Sequence, residues 1–173
     1  MLKLAVELVS PNVDITWVFY DNEEVASDLN GLGRLVRNRA DLIQGDFAVL
    51  CEPTSALIEG GCNGTIRIEV SATGKKAHSA RPWMGENAIH ALAPALALLA
   101  SYQPRAIEVD GLVYREGLNA VGIGGGVAGN VIPDAGVLTV NYRFAPAATA
   151  AEAEEYLRGL FAAAAPELEL VVT

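Results

Sequence analysis

A strict alternation of apolar and polar residues over residues 65–72 constrains the fold more than any other feature of the sequence. Successive side chains of a β-strand point to opposite faces of the sheet, so alternation predicts one apolar and one polar face. The apolar set is Ile66, Ile68, Val70 and Ala72, and the polar set is Thr65, Arg67, Glu69 and Ser71. This segment is therefore predicted to lie in a sheet that is covered on one side only.

The residues that follow predict the rest of a two-layer unit. The alanine- and leucine-rich segment 87–101 predicts a helix, which Pro94 should kink because proline removes a backbone hydrogen bond. Thr149 and Glu152 predict a capping box that starts a second helix. Strands are predicted at residues 106–114, 119–124, 136–144 and 167–173. Residues 64–173 therefore predict roughly the order β-α-β-β-α-β, a complete two-layer unit.

The first sixty residues show a different pattern. They predict a helix, a largely buried strand, a second helix and a short strand, at residues 1–9, 13–20, 31–42 and 47–51. Such alternation is typical of α/β parallel sheets. A helix that begins at the first residue, with no strand before it, favours an internal piece of a longer protein. The composition changes at Gly60-Gly61, so we expect a partial α/β domain over residues 1–59 and a second domain over residues 60–173.

Charge and cysteine content exclude several classes of partner. Twelve Lys and Arg residues against twenty-one Asp and Glu give a net charge of −9, with no basic run. Nucleic acids and anionic membranes bind clustered positive charge, so neither is an expected partner. No apolar segment is long enough to span a membrane, and no secretory signal begins the chain. Cys51 and Cys62 form no disulfide framework, which favours reduced thiols in a cytoplasmic protein.

Acidic segments directly follow both predicted strands of the first domain. Residues 21–24 (Asp-Asn-Glu-Glu) follow the first strand, and Glu52 follows the second. Ligands of parallel sheets bind beyond the carboxyl ends of the strands, where gathered carboxylates repel one another unless a cation neutralises them. The pattern is therefore consistent with a divalent metal site. Spacing alone favours the alternative that residues 21–24 form only a polar turn or a helix start.

The histidines and glycines give weaker signals. His90 lies inside the predicted helix, where a packed or exposed residue without function is the favoured interpretation. His78 lies in a polar loop, where functional histidines concentrate. The glycine-rich segment 122–129 is followed by no helix, so it predicts a bend or bulge rather than a phosphate-binding loop. Arg143 shares a strand face with polar residues and could bind an anion.

The order of these segments is more specific than any one of them. Along the chain the motifs are Tyr-Asp-Asn-Glu-Glu-Val, Cys-Glu-Pro-Thr, Gly-Gly-Cys-Asn-Gly-Thr, Ala-His-Ser-Ala-Arg-Pro, Ala-Gly-Asn-Val-Ile-Pro-Asp and Asn-Tyr-Arg-Phe. This series resembles the ArgE/DapE branch of the dinuclear zinc aminoacylase and carboxypeptidase superfamily. Within that branch it is most similar to the succinyl-diaminopimelate desuccinylases of the actinobacterial type. The resemblance spans essentially the whole chain.

The resemblance implies a catalytic domain with two zinc ions, which cobalt could replace, and an inserted ferredoxin-like lid or dimerisation domain. Residues 1–59 would then be part of the catalytic domain, and residues 60–173 would be the lid. It also implies a cytoplasmic homodimer, paired through the lid, that hydrolyses the amide bond of N-succinyl-L,L-diaminopimelate, a small anionic substrate. An acetylornithine deacetylase, an aminoacylase and a non-catalytic dimerisation module remain alternatives.

For the acidic residues, the resemblance assigns the general base to Glu23 and zinc ligands to Glu24 and Glu52. The family's first zinc histidine, its bridging aspartate and its final zinc histidine have no counterpart in this sequence. We therefore expect residues 1–173 alone to be inactive.

For the lid, the resemblance assigns His78 to the histidine that reaches the active site of the partner subunit. Asn130 and Arg143 correspond to positions that hold the substrate and its carboxylate. Some relatives carry an arginine where this chain has Cys62 and Asn63, so substrate contacts in that segment are not carried over.

Overall fold

The structure, a computed structural model, describes residues 2–25, 28–55 and 57–173. The chain forms two compact units, Met1–Glu59 and Gly60–Thr173. None of the helices in the described part of the chain has the length and apolarity needed to cross a membrane.

The described residues of the first unit contain helices and no β-strand. Helix α1 spans Leu2–Glu7, and helix α2 spans Gly31–Arg39 and continues into a 3₁₀ turn at Ala40–Leu42. Both predicted helices are confirmed. Residue 1, the first residue of the helix predicted at 1–9, lies outside the described residues.

The two strands predicted in this unit, at residues 13–20 and 47–51, are wrong. Neither run has a backbone partner in a sheet. Their apolar side chains are largely exposed, with Phe47 at 88% and Val49 at 74%. A buried strand requires a neighbouring strand and a covering layer, and the described part of this unit supplies neither.

The second unit contains eight strands and three helices. The strands are β1 (Gly64–Thr73), β2 (Ala77–His78), β3 (Ala106–Val109), β4 (Leu112–Arg115), β5 (Gly117–Gly125), β6 (Val131–Ile132), β7 (Ala135–Phe144) and β8 (Glu169–Val172). The helices are α3 (Ala88–Ala91), α4 (Ala93–Ser101) and α5 (Ala150–Ala164), and a 3₁₀ turn spans Pro82–Met84.

The main sheet has the order β5-β7-β1-β8 and is antiparallel throughout. Its four strands, together with α3, α4 and α5, follow the predicted β-α-β-β-α-β order. The last strand lies beside the first, as in a ferredoxin-like fold, which confirms the predicted class. The glycine-rich end of β5 carries the predicted irregularity, because the register shifts between Ala120 and Gly122.

All three helices pack on one face of this sheet. The alternation in β1 is confirmed, since Ile68 and Val70 are fully buried while Arg67 and Glu69 are exposed. Burying one such side chain stabilises the fold by roughly 1.5–3 kcal/mol. The other fully buried large side chains are Leu92, Leu138, Val140, Tyr142 and Leu157.

Local signals set the helix boundaries of this layer. The predicted helix 87–101 is divided at Leu92, and Pro94 stands in the first turn of α4, where its missing N–H costs nothing. The predicted capping box is also confirmed. The Glu152 N–H donates to the Thr149 hydroxyl at 3.2 Å, and the Thr149 N–H donates to the Glu152 carboxylate at 2.8 Å.

The single strand predicted over residues 106–114 is wrong, because this run folds into a hairpin of β3 and β4. Val109 faces Leu112, so the turn consists of Asp110 and Gly111. Both turn residues have positive φ values, 51° and 80°. A two-residue turn of this kind matches the right-handed twist of the strands, and Asp-Gly is one of its preferred sequences.

A buried carboxylate joins this hairpin to the sheet. Glu116 is 4% exposed, and its carboxylate accepts hydrogen bonds from Arg105 at 2.6 Å, from the Tyr142 hydroxyl at 3.0 Å and from the Ala145 N–H at 3.1 Å. The Arg105 guanidinium also lies 4.2 Å from the centre of the Tyr156 ring. Burial alone would raise the pKa of Glu116, but the three donors outweigh burial and lower it.

Replacing Glu116 with glutamine should lower the free energy of unfolding by about 2 kcal/mol at pH 7, since a charge-assisted hydrogen bond is lost. Because the pKa of Glu116 is lowered on folding, its stabilisation is complete above the ordinary value of 4.5 and is lost as the pH falls through the folded-state pKa. The difference between wild type and Glu116→Gln should therefore shrink below pH 4.5. Urea unfolding at a series of pH values measures this difference in the free energy of unfolding.

The matched control is Glu108→Gln on β3, because Glu108 is exposed and forms no ion pair among the described residues. This variant should change stability by less than about 0.5 kcal/mol. Equal effects of the two substitutions would contradict a stabilising role for the buried carboxylate.

Candidate functional site

The acidic segment of residues 21–24 forms a loop that is tied to the start of α2. Asn30 caps this helix by accepting from the Gly33 N–H at 3.0 Å, and its amide donates to the Glu23 carbonyl at 3.3 Å. The Gly31 N–H donates to the Asp21 carbonyl at 2.9 Å. Exposed Glu23 and Glu24 are therefore presented by a loop whose backbone is anchored to α2 at Asp21 and at Glu23.

Asp21 is occupied by an ion pair within the same unit. The Arg34 guanidinium donates to its carboxylate at 2.5 Å, and this hydrogen bond holds the pKa of Asp21 below its ordinary value. Asp21 therefore carries its negative charge next to a cation of this chain. Among the carboxylates of the loop, Glu23 and Glu24 form no ion pair with a described residue.

The described residues do not fit a metal ion by themselves. Glu52 is exposed in a separate loop, where its carbonyl accepts from the Thr54 N–H at 2.9 Å. No three His, Cys, Asp or Glu side chains within residues 2–25, 28–55 and 57–173 lie close enough together to hold a metal. The expectation that the acidic segments meet at the edge of a parallel sheet is wrong, because the strands that would carry them do not form.

Two of the predicted lid residues do lie close together. Strand β2 pairs with β6, so that His78 faces Val131, and the Ser79 N–H donates to the Asn130 carbonyl at 2.9 Å. The Nδ1 atom of His78 accepts from the Ala80 N–H at 3.1 Å. In the neutral ring the proton must then be on Nε2, which leaves Nε2–H as the donor available to a ligand.

Arg143 is not part of this pair. It lies eight residues along β7 from Ala135, a separation of about 27 Å in an antiparallel strand. Ala135 follows β6 by three residues, so the His78 and Asn130 loops lie near one end of β7 and Arg143 near the other. One chain therefore presents two separate clusters on its lid.

Two residues that were not predicted support these loops. Lys76 and Asp134 form an ion pair at 3.2 Å, and the Asp134 carbonyl accepts from the Gly74 N–H at 2.8 Å. These contacts join the segment that leads into β2, the strand of His78, to the segment that follows Asn130. No local sequence signal identifies such an ion pair. By contrast, the N-cap Asn30 could have been recognised from the sequence, because an Asn directly before a predicted helix is a preferred cap.

The two-layer lid and its match to known families define the class of this protein. Residues 61–169 match the family described as the peptidase dimerisation domain, M20_dimer. This match covers more than half of the chain, so the chain belongs to that family.

Two of the most similar relatives are named as desuccinylases. The chain is 52% identical, over 92% of its length, to a Mycobacterium tuberculosis protein provisionally named succinyl-diaminopimelate desuccinylase DapE. It is 47% identical, over 83% of its length, to the succinyl-diaminopimelate desuccinylase of Corynebacterium glutamicum. It spans 45% and 39% of the lengths of these two relatives.

A solved structure supports the fold alone. The M20 family metallo-carboxypeptidase of Sulfolobus solfataricus superimposes with a TM-score of 0.50 at 14% identity, covering 65% of this chain and 37% of that one.

Gly31→Ala should detach the acidic loop from α2. The added methyl group would lie 2.7 Å from the Asp21 carbonyl oxygen and would also collide with its carboxylate. Such overpacking typically costs about 1–3 kcal/mol, so we expect faster hydrogen exchange of the residue 31 amide. Gly45→Ala is the control, because its methyl group would meet only the Phe47 carbonyl, at 3.7 Å. Unchanged exchange in Gly31→Ala would contradict the anchoring of the loop.

Proposed function

We propose that this chain provides the lid and part of the acidic site of a cytoplasmic amide hydrolase that acts on N-succinyl-L,L-diaminopimelate. One observation carries the proposal. The pairing of β2 with β6 sets His78 opposite Val131, next to Asn130 in the sequence, in a chain that is 47–52% identical to desuccinylases. The absence of a basic run from the sequence supports a small-molecule substrate rather than nucleic acid or a membrane.

Glu23 is proposed as the general base. Its carboxylate would take a proton from the water molecule that attacks the amide carbonyl, and would return it to the departing amine as the carbon–nitrogen bond breaks. The products are succinate and diaminopimelate. Glu23 is suited to this role because it is exposed, forms no ion pair with a described residue, and is held through its backbone by Asn30.

His78 is proposed to stabilise the oxyanion. Its Nδ1 already accepts the Ala80 N–H, so its Nε2–H can donate to the carbonyl oxygen as negative charge develops there. Asn130 and Arg143 would hold the substrate and its carboxylate. The length of β7 between the two lid clusters exceeds what one acylated diamino acid can span, which supports a site shared by two copies of the chain.

Glu24 and Glu52 are proposed as ligands of a divalent cation, by resemblance one of two zinc ions in the complete enzyme. Two carboxylates are fewer than the three protein ligands typical of a catalytic zinc. Further ligands are therefore required, and residues 1–173 alone should show neither firm zinc binding nor turnover.

The test is a chimera in which residues 1–173 replace the matching segment of the Corynebacterium desuccinylase. We expect it to release succinate from N-succinyl-L,L-diaminopimelate. In the chimera, Glu23→Gln should lower kcat by about 10²- to 10⁴-fold, because the general base is lost, while metal content stays unchanged. Asp28→Asn is the matched control, since Asp28 is an exposed carboxylate close to Glu23 along the chain and should leave kcat unchanged.

Three outcomes would decide against this function. A folded, metal-loaded chimera without turnover would favour a non-catalytic dimerisation module. Faster release of acetate than of succinate from matched substrates would favour a deacetylase or an aminoacylase. Near-normal turnover of Glu23→Gln would overturn the assignment of the general base.

We also propose that the lid forms a homodimer through the edge strand β5 and helix α4. Strand β5 has only β7 beside it, and none of its residues is charged. Exposed strand edges usually carry charges that prevent association, so a neutral edge favours pairing. Along this edge an apolar groove of about 260 Å³ is lined by Leu96, Leu99, Ala100, Leu118, Asn119 and Ala120.

Ile123→Lys should dissociate the dimer, because Ile123 is 57% exposed on β5 and a lysine there would place a charge in the interface. Sedimentation velocity at micromolar concentration should show a dimer for the wild type and a monomer for the variant. Val171→Lys places the same charge on the opposite edge strand, β8, and should remain dimeric. A monomeric wild type, or dissociation by Val171→Lys alone, would contradict the proposed interface.

A further inference from the structure

The open face of the sheet carries a block of four polar residues from β1 and β7. The register places Thr65 opposite Arg143 and Arg67 opposite Asn141. All four point away from the helices, since Ile66 on β1 packs against the buried core and Tyr142 on β7 belongs to it. The two arginines therefore occupy diagonal corners of the block on the same face.

A hydrogen bond along the other diagonal holds this block together. The Asn141 amide donates to the Thr65 hydroxyl at 3.1 Å. Diagonal positions in an antiparallel pair lie roughly 7–8 Å apart, within reach of long side chains. The two arginines therefore start from the corners on either side of this hydrogen bond, at a separation that lets long side chains reach opposite ends of one small ligand.

Neither arginine has an anionic partner among the described residues. Arg34, Arg39, Arg105 and Arg158 each pair with a carboxylate of the chain. By contrast, Arg67 and Arg143 take part in no ion pair there. Glu69 shares the open face two residues from Arg67, but the two side chains do not come within ion-pair distance. Two like charges on one face repel each other, and a ligand with two negative charges would relieve that repulsion.

We propose that Arg67 and Arg143 together bind a ligand with two carboxylates, which makes Arg67 a specificity-determining residue. This inference rests on the proposed function, in which Arg143 holds one carboxylate of the substrate. A succinyl group adds a carboxylate that a neutral acetyl group lacks. Arg67 supplies the second guanidinium, so the pair favours substrates with an anionic acyl group over neutral ones.

Selectivity comes from engaging both arginines at once. A single exposed ion pair contributes little, because water and salt screen it. Once one carboxylate is bound, the second binds within the same complex, at a high effective concentration. A dicarboxylate should therefore bind more tightly than a monocarboxylate. The gain in affinity should exceed what one additional, solvent-screened charge would contribute.

The experiment titrates the isotopically labelled chain with succinate and with propionate at constant ionic strength. The arginine Nε–H signals are followed by NMR. Succinate should shift the signals of Arg67 and Arg143 together, with affinity about tenfold higher than that of propionate. Arg67→Gln should reduce the succinate affinity to about that of propionate and leave propionate binding unchanged. Arg67→Lys should retain only part of the selectivity, since the charge remains but the planar guanidinium is lost.

Arg115→Gln is the matched control, because Arg115 is also exposed and unpaired among the described residues but lies on the β3–β4 hairpin. It should not change either affinity. Equal wild-type affinities for succinate and propionate, or no loss of succinate affinity in a folded Arg67→Gln, would overturn the inference.

These outcomes are independent of turnover. Selective binding with an inactive chimera would count against the proposed function alone. An active chimera without selective binding would count against the arginine pair alone.

Discussion

The antiparallel pairing of β1 with β7 is the constraint on which the second unit depends. Ten consecutive residue pairs fix the register of the two central strands. Because side chains alternate between faces, a one-residue slip of β1 would move Arg67 into the core and expose Ile68. The helices pack against the buried face, and the neighbouring strands β5 and β8 extend the same sheet on either side. Core packing and the polar open face are thus set by one register.

The same pairing separates the proposed site residues of the second unit into two groups. At one end, Thr73 faces Ala135, and the chain leads from there to the loops of His78 and Asn130. At the other end, Thr65 faces Arg143. A rigid strand pair keeps the groups apart, so a ligand that needs both must be bound by two lids. This separation is the physical basis of the proposal that two copies of the chain share one site.

Signals that act over a few residues were predictable. The alternation of residues 65–72, the break at Pro94 and the capping box at Thr149 each depend on neighbours within one strand or helix turn. The hairpin turn at Asp110 was visible as an Asp-Gly pair but lay within an apolar run that predicts one strand. The failed strands at residues 13–20 and 47–51 show the limit of composition. Apolar, β-branched residues predict burial, but burial in a sheet requires a partner strand.

The sequence by itself determined which residues of the second unit face the core, where its helices begin, and the family to which the chain belongs. Only the tertiary structure decided which strands pair and which polar groups meet. Asn141 and Thr65 are 76 residues apart in the chain, and Tyr142 and the carboxylate of Glu116 are 26 apart. No local pattern specifies such contacts. They form because burying a common apolar face offsets the entropy lost in closing the intervening loops, and that balance depends on the whole unit.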